Sequence, residues 1–222
     1  MATVLKDFKW IGTRAVRPDG VDKVTGRAQY GADFSLPGTL TGKVLRSPHA
    51  HAHIKNIDTS NAEALPGVKA IITGNDFSEL PSEWVPAGEV QINFRDLSRS
   101  IMARDKVLFE GHPVAAVAAT SEKIARQALE LIKVEYDILP HVIDVEDAMA
   151  PDAPILHKDL FTLGIEPTPT KPSNIAKRVD YNGGNIEKGF KEADIIVERS
   201  FTTQPVHQGY IEPHASIASA SE

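Results

Sequence analysis

Cysteine is absent from the 222-residue sequence. The chain therefore has no thiolate for zinc or for an iron–sulfur cluster, no disulfide and no cysteine nucleophile. Long hydrophobic runs are missing as well. No apolar stretch approaches the roughly 18 residues that cross a bilayer, and the first residues, MATVLKDFKWIG, lack the basic-then-apolar pattern of a signal peptide. These absences fit a cytoplasmic chain with no membrane partner. Clustered Lys and Arg are missing too. The 24 basic and 30 acidic residues are interspersed and sum to a net charge of -6, which speaks against a nucleic-acid surface.

The usual compact catalytic signatures are also lacking. There is no GxGxxG, no GxxxxGK[ST] and no GxSxG, so dinucleotide loops, P-loops and nucleophile elbows are unsupported. NGGN at 182–185 reads as a turn that caps a short helix. By site chemistry alone no complete catalytic set can be assembled.

What is present is mixed α/β patterning. Residues 1–23 read as a polar, turn-prone arm, and RAQYGADF (27–34) as a strand. TGKVLRSPHAHAHIKNID (41–58) reads as two strands with a turn at Ser47–Pro48. TSNAEALPG (59–67) offers an N-cap, a short helix and a Pro–Gly stop, and VKAIITG a β-branched strand. Residues 75–105, with Pro81, Trp84 and Pro86, read as a loop excursion. Val107–Phe109 and Pro113–Ala119 read as strands. Ser121 caps a helix whose Ile124, Ala128 and Leu131 share a face, and Val134–Ile138 alternates as a strand. The prolines at 151, 154, 167, 169 and 172 mark a linker. Beyond it come a short amphipathic helix, the strand IIVERSFTTQ (195–204) and a final strand from about Ala215.

Two constellations carry possible chemistry. In SPHAHAHI, His49, His51 and His53 alternate with alanine, so a regular strand would turn all three to one face. Three imidazoles with an open fourth position suit a zinc hydrolase. Same-face neighbours on a strand sit about 6.6 Å apart, however, so His49 and His53 cannot share an ion without distortion. A polar outer strand face explains the pattern better. The second constellation is VHQGYIEPHA, where Glu212 lies among His207, Gln208, Tyr210 and His214. Glu212 reads equally as a buried carboxylate held by local backbone donors and as the lining of a site.

Taken in order, the segments resemble the start of the molybdenum-containing subunit of the xanthine dehydrogenase / aldehyde oxidase family. The resemblance rests on K-V-T-G-x-A-x-Y at 23–30 and L-x-G-x-x-x-R-S-P-H-A-H-A-x-I at 40–54, then A-x-x-x-P-G-V-x-A-I-x-T at 62–73. It continues in EGHPVAAVAA at 110–119, in VEYDILPHVID at 134–144 and in GGNIEKGFKEADIIVERSFTTQPVHQGYIEPHASIA at 183–218. It implies an arm at 1–23, an a/b hammerhead domain at 24–149, a Pro-rich linker at 150–180 and the first elements of a molybdopterin-binding domain at 181–222.

It also implies an α/β (α+β) chain that is a fragment or split piece of a molybdenum hydroxylase. Such an enzyme inserts water-derived oxygen into a C–H bond of an aldehyde or N-heterocycle. The molybdopterin would be held mainly by residues downstream, with 2Fe-2S and FAD on partner subunits or segments. No family catalytic residue, cofactor ligand or metal ligand can be placed on a numbered position of this chain. The resemblance makes the His49/His51/His53 stretch structural, with His53 facing solvent. A stand-alone interaction or scaffolding module is the competing reading, and a small zinc hydrolase on the histidine stretch a third.

Overall fold

The computed structural model describes residues 9–212 and 214–220. The chain divides into two compact units, residues 38–196 and residues 1–37 with 197–222.

The unit Gly38–Ile196 is built around one strand of small residues. β7 (Pro113–Ala119, PVAAVAA) is the centre of an antiparallel three-stranded sheet, flanked by β1 (Thr41–Arg46) and β3 (Val68–Thr73). Both faces of β7 must therefore be covered, which the Val/Ala run permits. On one face Ala115, Val117 and Ala119 meet Ala125 and Ala128 of α4 (Glu122–Leu131), with Ala62 of α2 (Ser60–Glu63) and Ile132 closing the cluster. Alanine on both sides lets the helix lie close to the sheet. On the other side Val114 joins Ala52, Ala103 and Val107 in a second cluster.

That second cluster belongs to an antiparallel sheet in which β2 (Ala52–Asp58) lies between β6 (Lys106–Val107) and β8 (Lys133–Ile138). Leu45 and Val134 pack against both clusters and join them.

α4 begins where Ser121 Oγ accepts from the Ile124 amide at 3.3 Å. Glu122, in its first turn, lies 2.7 Å from Arg126 and 2.9 Å from Lys43 of β1. Hydrogen bonds from those two cations, Arg126 foremost, hold the Glu122 carboxyl down at about 2.

Residues 75–105 are more regular than their prolines suggest. β4 (Trp84–Ala87) and β5 (Val90–Asn93) form a hairpin, and α3 (Phe94–Ile101) follows at once. Pro86 is tolerated because a two-stranded ribbon leaves β4 with a free outer edge. Gly88, with φ +67°, takes the first loop position, a conformation that costs glycine no Cβ clash. Asn93 Oδ1 then caps α3, accepting from Arg95 N at 3.1 Å and Asp96 N at 3.4 Å.

The Pro-rich stretch has neither helix nor strand after α5 (Val145–Ala148), yet it is pinned. Asn174 Nδ2 donates to the carbonyls of Ala148 and Pro154, both at 3.0 Å, while its Oδ1 accepts from Leu156 N at 3.1 Å. Thr162 Oγ1 donates to Ile175 O at 2.8 Å. Asn185 caps α6 (Ile186–Glu192), as the NGGN turn implies.

In the other unit, α1 (Gly20–Val24) and a 3-10 turn at Gly31–Asp33 are the regular elements among the described residues. The expected strand RAQYGADF is replaced by that turn, in which Asp33 Oδ2 accepts from Tyr30 N at 3.0 Å. Residues 1–8 of the expected arm, and Pro213, lie outside the described residues. The two late strands are not formed: described residues from 193 to 220 enter no sheet. A strand needs a neighbour for its N–H and C=O groups, and β propensity alone supplies none.

Gly74 shows how tightly the first unit is packed, since a Cβ there would meet the Ala103 carbonyl oxygen at 2.3 Å and Arg104 Cα at 2.7 Å. Gly74→Ala is expected to destabilise the chain by about 2 kcal/mol, read as a lower urea midpoint with an unchanged slope. A midpoint equal to wild type would mean that the segment shifts freely.

Candidate functional site

The SPHAHAH segment joins β1 to β2, and only His53 of its three histidines lies on the strand. The chain bends at Ser47–Pro48, where Ser47 Oγ accepts from His49 N at 3.0 Å. The His49 ring packs edge-on against Tyr136 of β8, centroids 4.9 Å apart. His51 is buried, and its Nδ1 sits 2.7 Å from the Pro140 carbonyl. A carbonyl only accepts, so Nδ1 carries the proton and Nε2 is a bare acceptor. Nε2 is buried without a partner. His53 is half-buried, opposite Lys106 and Asp137 in the two ladders.

The three imidazoles thus point to three different neighbours. Among the described residues no group of three or more His, Asp or Glu side chains could hold a metal ion.

A fourth histidine, His112, anchors the region and is not conspicuous in the sequence. It is fully buried, accepts from Leu108 N on Nδ1 at 3.2 Å and donates from Nε2 to Arg99 O at 2.9 Å. Its own backbone carbonyl accepts from Ser47 N at 2.9 Å, and Ser47 O accepts from Gly111 N at 2.9 Å. Phe109 stacks on its ring at 4.3 Å. His112 is therefore a packing node that ties β1, α3 and the turn before β7. Its position just before the strand, in EGHPV, is the only signal the sequence carries for it.

In the second unit, Glu212 is exposed and takes the Gly31 amide on Oε1 at 3.4 Å, a donor distant in sequence rather than local. The expected burial of Glu212 is not observed. Tyr210 lies between His207 and His214, with centroids at 5.4 and 5.0 Å, and His207 Nδ1 accepts from Gly209 N at 2.9 Å. Gln208 is exposed. This cluster is a surface group of rings.

With that geometry in hand, the likenesses are specific. The family described as "Aldehyde oxidase and xanthine dehydrogenase, a/b hammerhead domain" matches residues 25–140, and the "Molybdopterin cofactor-binding domain" matches residues 167–222. The chain belongs to the aldehyde oxidase and xanthine dehydrogenase family.

It is 36% identical over 203 residues to a probable xanthine dehydrogenase chain of Bacillus subtilis (strain 168), covering 91% of this chain and 24% of that protein. It is 35% identical over 213 residues to the carbon monoxide dehydrogenase large chain of Afipia carboxidovorans, covering 94% of this chain and 25% of that one. A crystal structure of the Cu,Mo-CO dehydrogenase superposes with a TM-score of 0.56 at 42% identity, over 67% of this chain and 18% of the other. The chain thus spans about a quarter of the length of the curated relatives it matches.

A molybdopterin needs an enclosed pocket lined with donors for its pterin and phosphate. Every described residue from 176 to 220 is exposed. That segment, which falls within the molybdopterin-binding match, does not by itself enclose such a group, and no catalytic step is derived through it.

Burial works on three imidazoles in one direction. It pushes His51, His112 and His157 below the ordinary value, against the backbone acceptors that favour the charged ring at His51 and His112. The folded chain then binds fewer protons than the unfolded chain below the ordinary imidazole value of about 6.5. Stability is full above that pH and falls as pH drops through it. The depressed carboxyls of Glu122 and Asp159 act lower, below about pH 4. Urea midpoints are expected to be level from about pH 8 to 7 and to decline by about pH 5.5. A midpoint flat down to pH 5 would show that these rings are not held neutral.

Zinc provides a separate check. Calorimetric titration of the chain with micromolar zinc is expected to give no tight site, and one stoichiometric site would restore the histidine metal reading.

Proposed function

We propose that this chain forms part of the molybdopterin-carrying large subunit of a cytoplasmic molybdenum hydroxylase, and that its role there is architectural. The observation that carries the reading is the order of the two family matches, 25–140 and then 167–222, on one chain. In this reading residues 1–23 are an arm, 24–149 the hammerhead, 150–180 the linker and 181–222 the opening of the molybdopterin-binding domain. The double-cored hammerhead gives a rigid body against which cofactor domains can pack.

When bound, the molybdenum cofactor supplies the redox chemistry of hydroxylating an aldehyde, an N-heterocycle or a related small molecule with oxygen from water. The partners proposed are the remainder of the molybdopterin-binding part, an iron–sulfur subunit and an FAD subunit. Iron–sulfur clusters on another chain agree with the absence of cysteine in this one. No helix among the described residues is long and apolar enough to cross a membrane.

The test is metal loading in a host that makes molybdopterin. The chain alone is expected to purify with substoichiometric molybdenum and without dye reduction on purines or aldehydes. The same chain joined to the remaining molybdopterin-binding segment is expected to carry stoichiometric molybdenum. Stoichiometric molybdenum on the chain alone overturns the architectural role; no molybdenum in either form favours an independent scaffolding module.

A further inference from the structure

A cavity of about 300 Å³ lies within the unit Gly38–Ile196, lined by His53, Arg99, Arg104–Lys106, Leu108 and residues 156–159. Its charge is one-sided: four cations, Arg99, Arg104, Lys106 and Lys158, stand against Asp105 and Asp159. The arginines are neutralised within the fold. Asp159 lies 3.0 Å from Arg99 and 2.9 Å from Arg95, while Glu79, outside the lining, lies 2.7 Å from Arg99 and 2.6 Å from Arg104.

The two lysines are different. Lys106, half-buried on β6, donates to the Leu156 carbonyl, a neutral acceptor. Neither Lys106 nor Lys158 has a carboxylate within ion-pair distance among the described residues, where the Asp105 carboxylate is exposed and likewise unpaired. Desolvation holds the Lys106 ammonium below its ordinary value; Asp105 and Asp159 pull the other way, and Lys158 and Arg99 add to the repulsion. His157, half-buried and with no hydrogen-bond partner for its ring among the described residues, completes this wall. Cations held together in a concave, partly dry wall favour a counter-ion between them.

We propose that this cavity binds a small dianion of the phosphate type, seated on the Lys106 and Lys158 ammonium groups with His157 beside them. A cavity of this size holds a compact tetrahedral anion. Ammonium groups act as mobile point charges and do not require the planar fork that the paired arginines have already given to carboxylates. The proposal is independent of the hydroxylase reading, since its residues all lie in one unit and none is asked to hold a cofactor.

Isothermal titration of the chain at low ionic strength with inorganic phosphate and with phenyl phosphate tests it. One saturable site is expected, weakened about tenfold in K158M and in K106M and unchanged in K123M, which removes an exposed charge outside the cavity. Lys158 is exposed, so K158M reads the site even where K106M disturbs the strand. Equal affinity for the two probes assigns a free oxyanion, and tighter phenyl phosphate assigns a phosphomonoester. No saturable binding of either, or a K123M loss equal to that of K158M, overturns the site.

Discussion

The need to cover both faces of β7 organises the unit Gly38–Ile196. A central strand written PVAAVAA has no polar side chain to turn toward water, so each face must find an apolar partner. One face meets α4, and on the other Val114 meets the sheet around β2 while Ala116 and Ala118 stay partly exposed. Because the side chains of β7 are small, cover has to come close, and alanines at 125 and 128 of α4 and at 52 and 103 of the second cluster meet that demand. Little area is buried by any one of these residues. The stability of such a core rests on contact density rather than on large side chains, and that is why Gly74, remote from β7 in sequence, has no room for a methyl group.

Electrostatics secures what the alanine core leaves loose. Arg99 joins Glu79 and Asp159, Arg104 shares Glu79, and Arg95 shares Asp159. This ties α3 to the stretch before the hairpin and to the Pro-rich stretch. Burial works against the charged form of Arg99, yet the two carboxylates raise its value above that of a free guanidinium. The arginines are half-buried, the carboxylates exposed, and each carboxylate is shared between two arginines, and such networks can exceed the small worth of isolated surface bridges. The network also fixes Asp159 and Glu79 on arginines, so neither forms an ion pair with Lys106 or Lys158.

The parts of this fold that were legible from sequence are those whose signal is local. Ser121 as a cap, Pro66–Gly67 as a stop, the alternation of Val134–Ile138 and the unbroken apolar run at 113–119 each specify their element within a few residues, and each element is found there. The hairpin and α3 were hidden because Pro81, Trp84 and Pro86 read as breakers, and an edge ribbon tolerates what a central strand does not. His112 was hidden for another reason. Its role consists of bonds to Leu108, Arg99 and Ser47, which only the fold brings together. The histidine triplet erred the opposite way: spacing suggested one face, but the bend at Ser47–Pro48 removes His49 and His51 from the strand. Family resemblance was legible in spite of these misses because it rests on the order of many short motifs.

The expected strands at 195–204 and from Ala215 show where pattern and structure part most informatively. Ile195, Val197 and Phe201 have the composition of strand residues, yet Ile195 is 81% exposed and Phe201 87%. Further on, Val206 and Ile211 are 88% and 99% exposed. A run of large apolar side chains this open is costly in water, and it offers unpaired backbone groups together with its side chains. The same residues lie within the molybdopterin-binding match at 167–222. Among the described residues this β character therefore finds no neighbouring strand, and the open side chains follow from that missing partner.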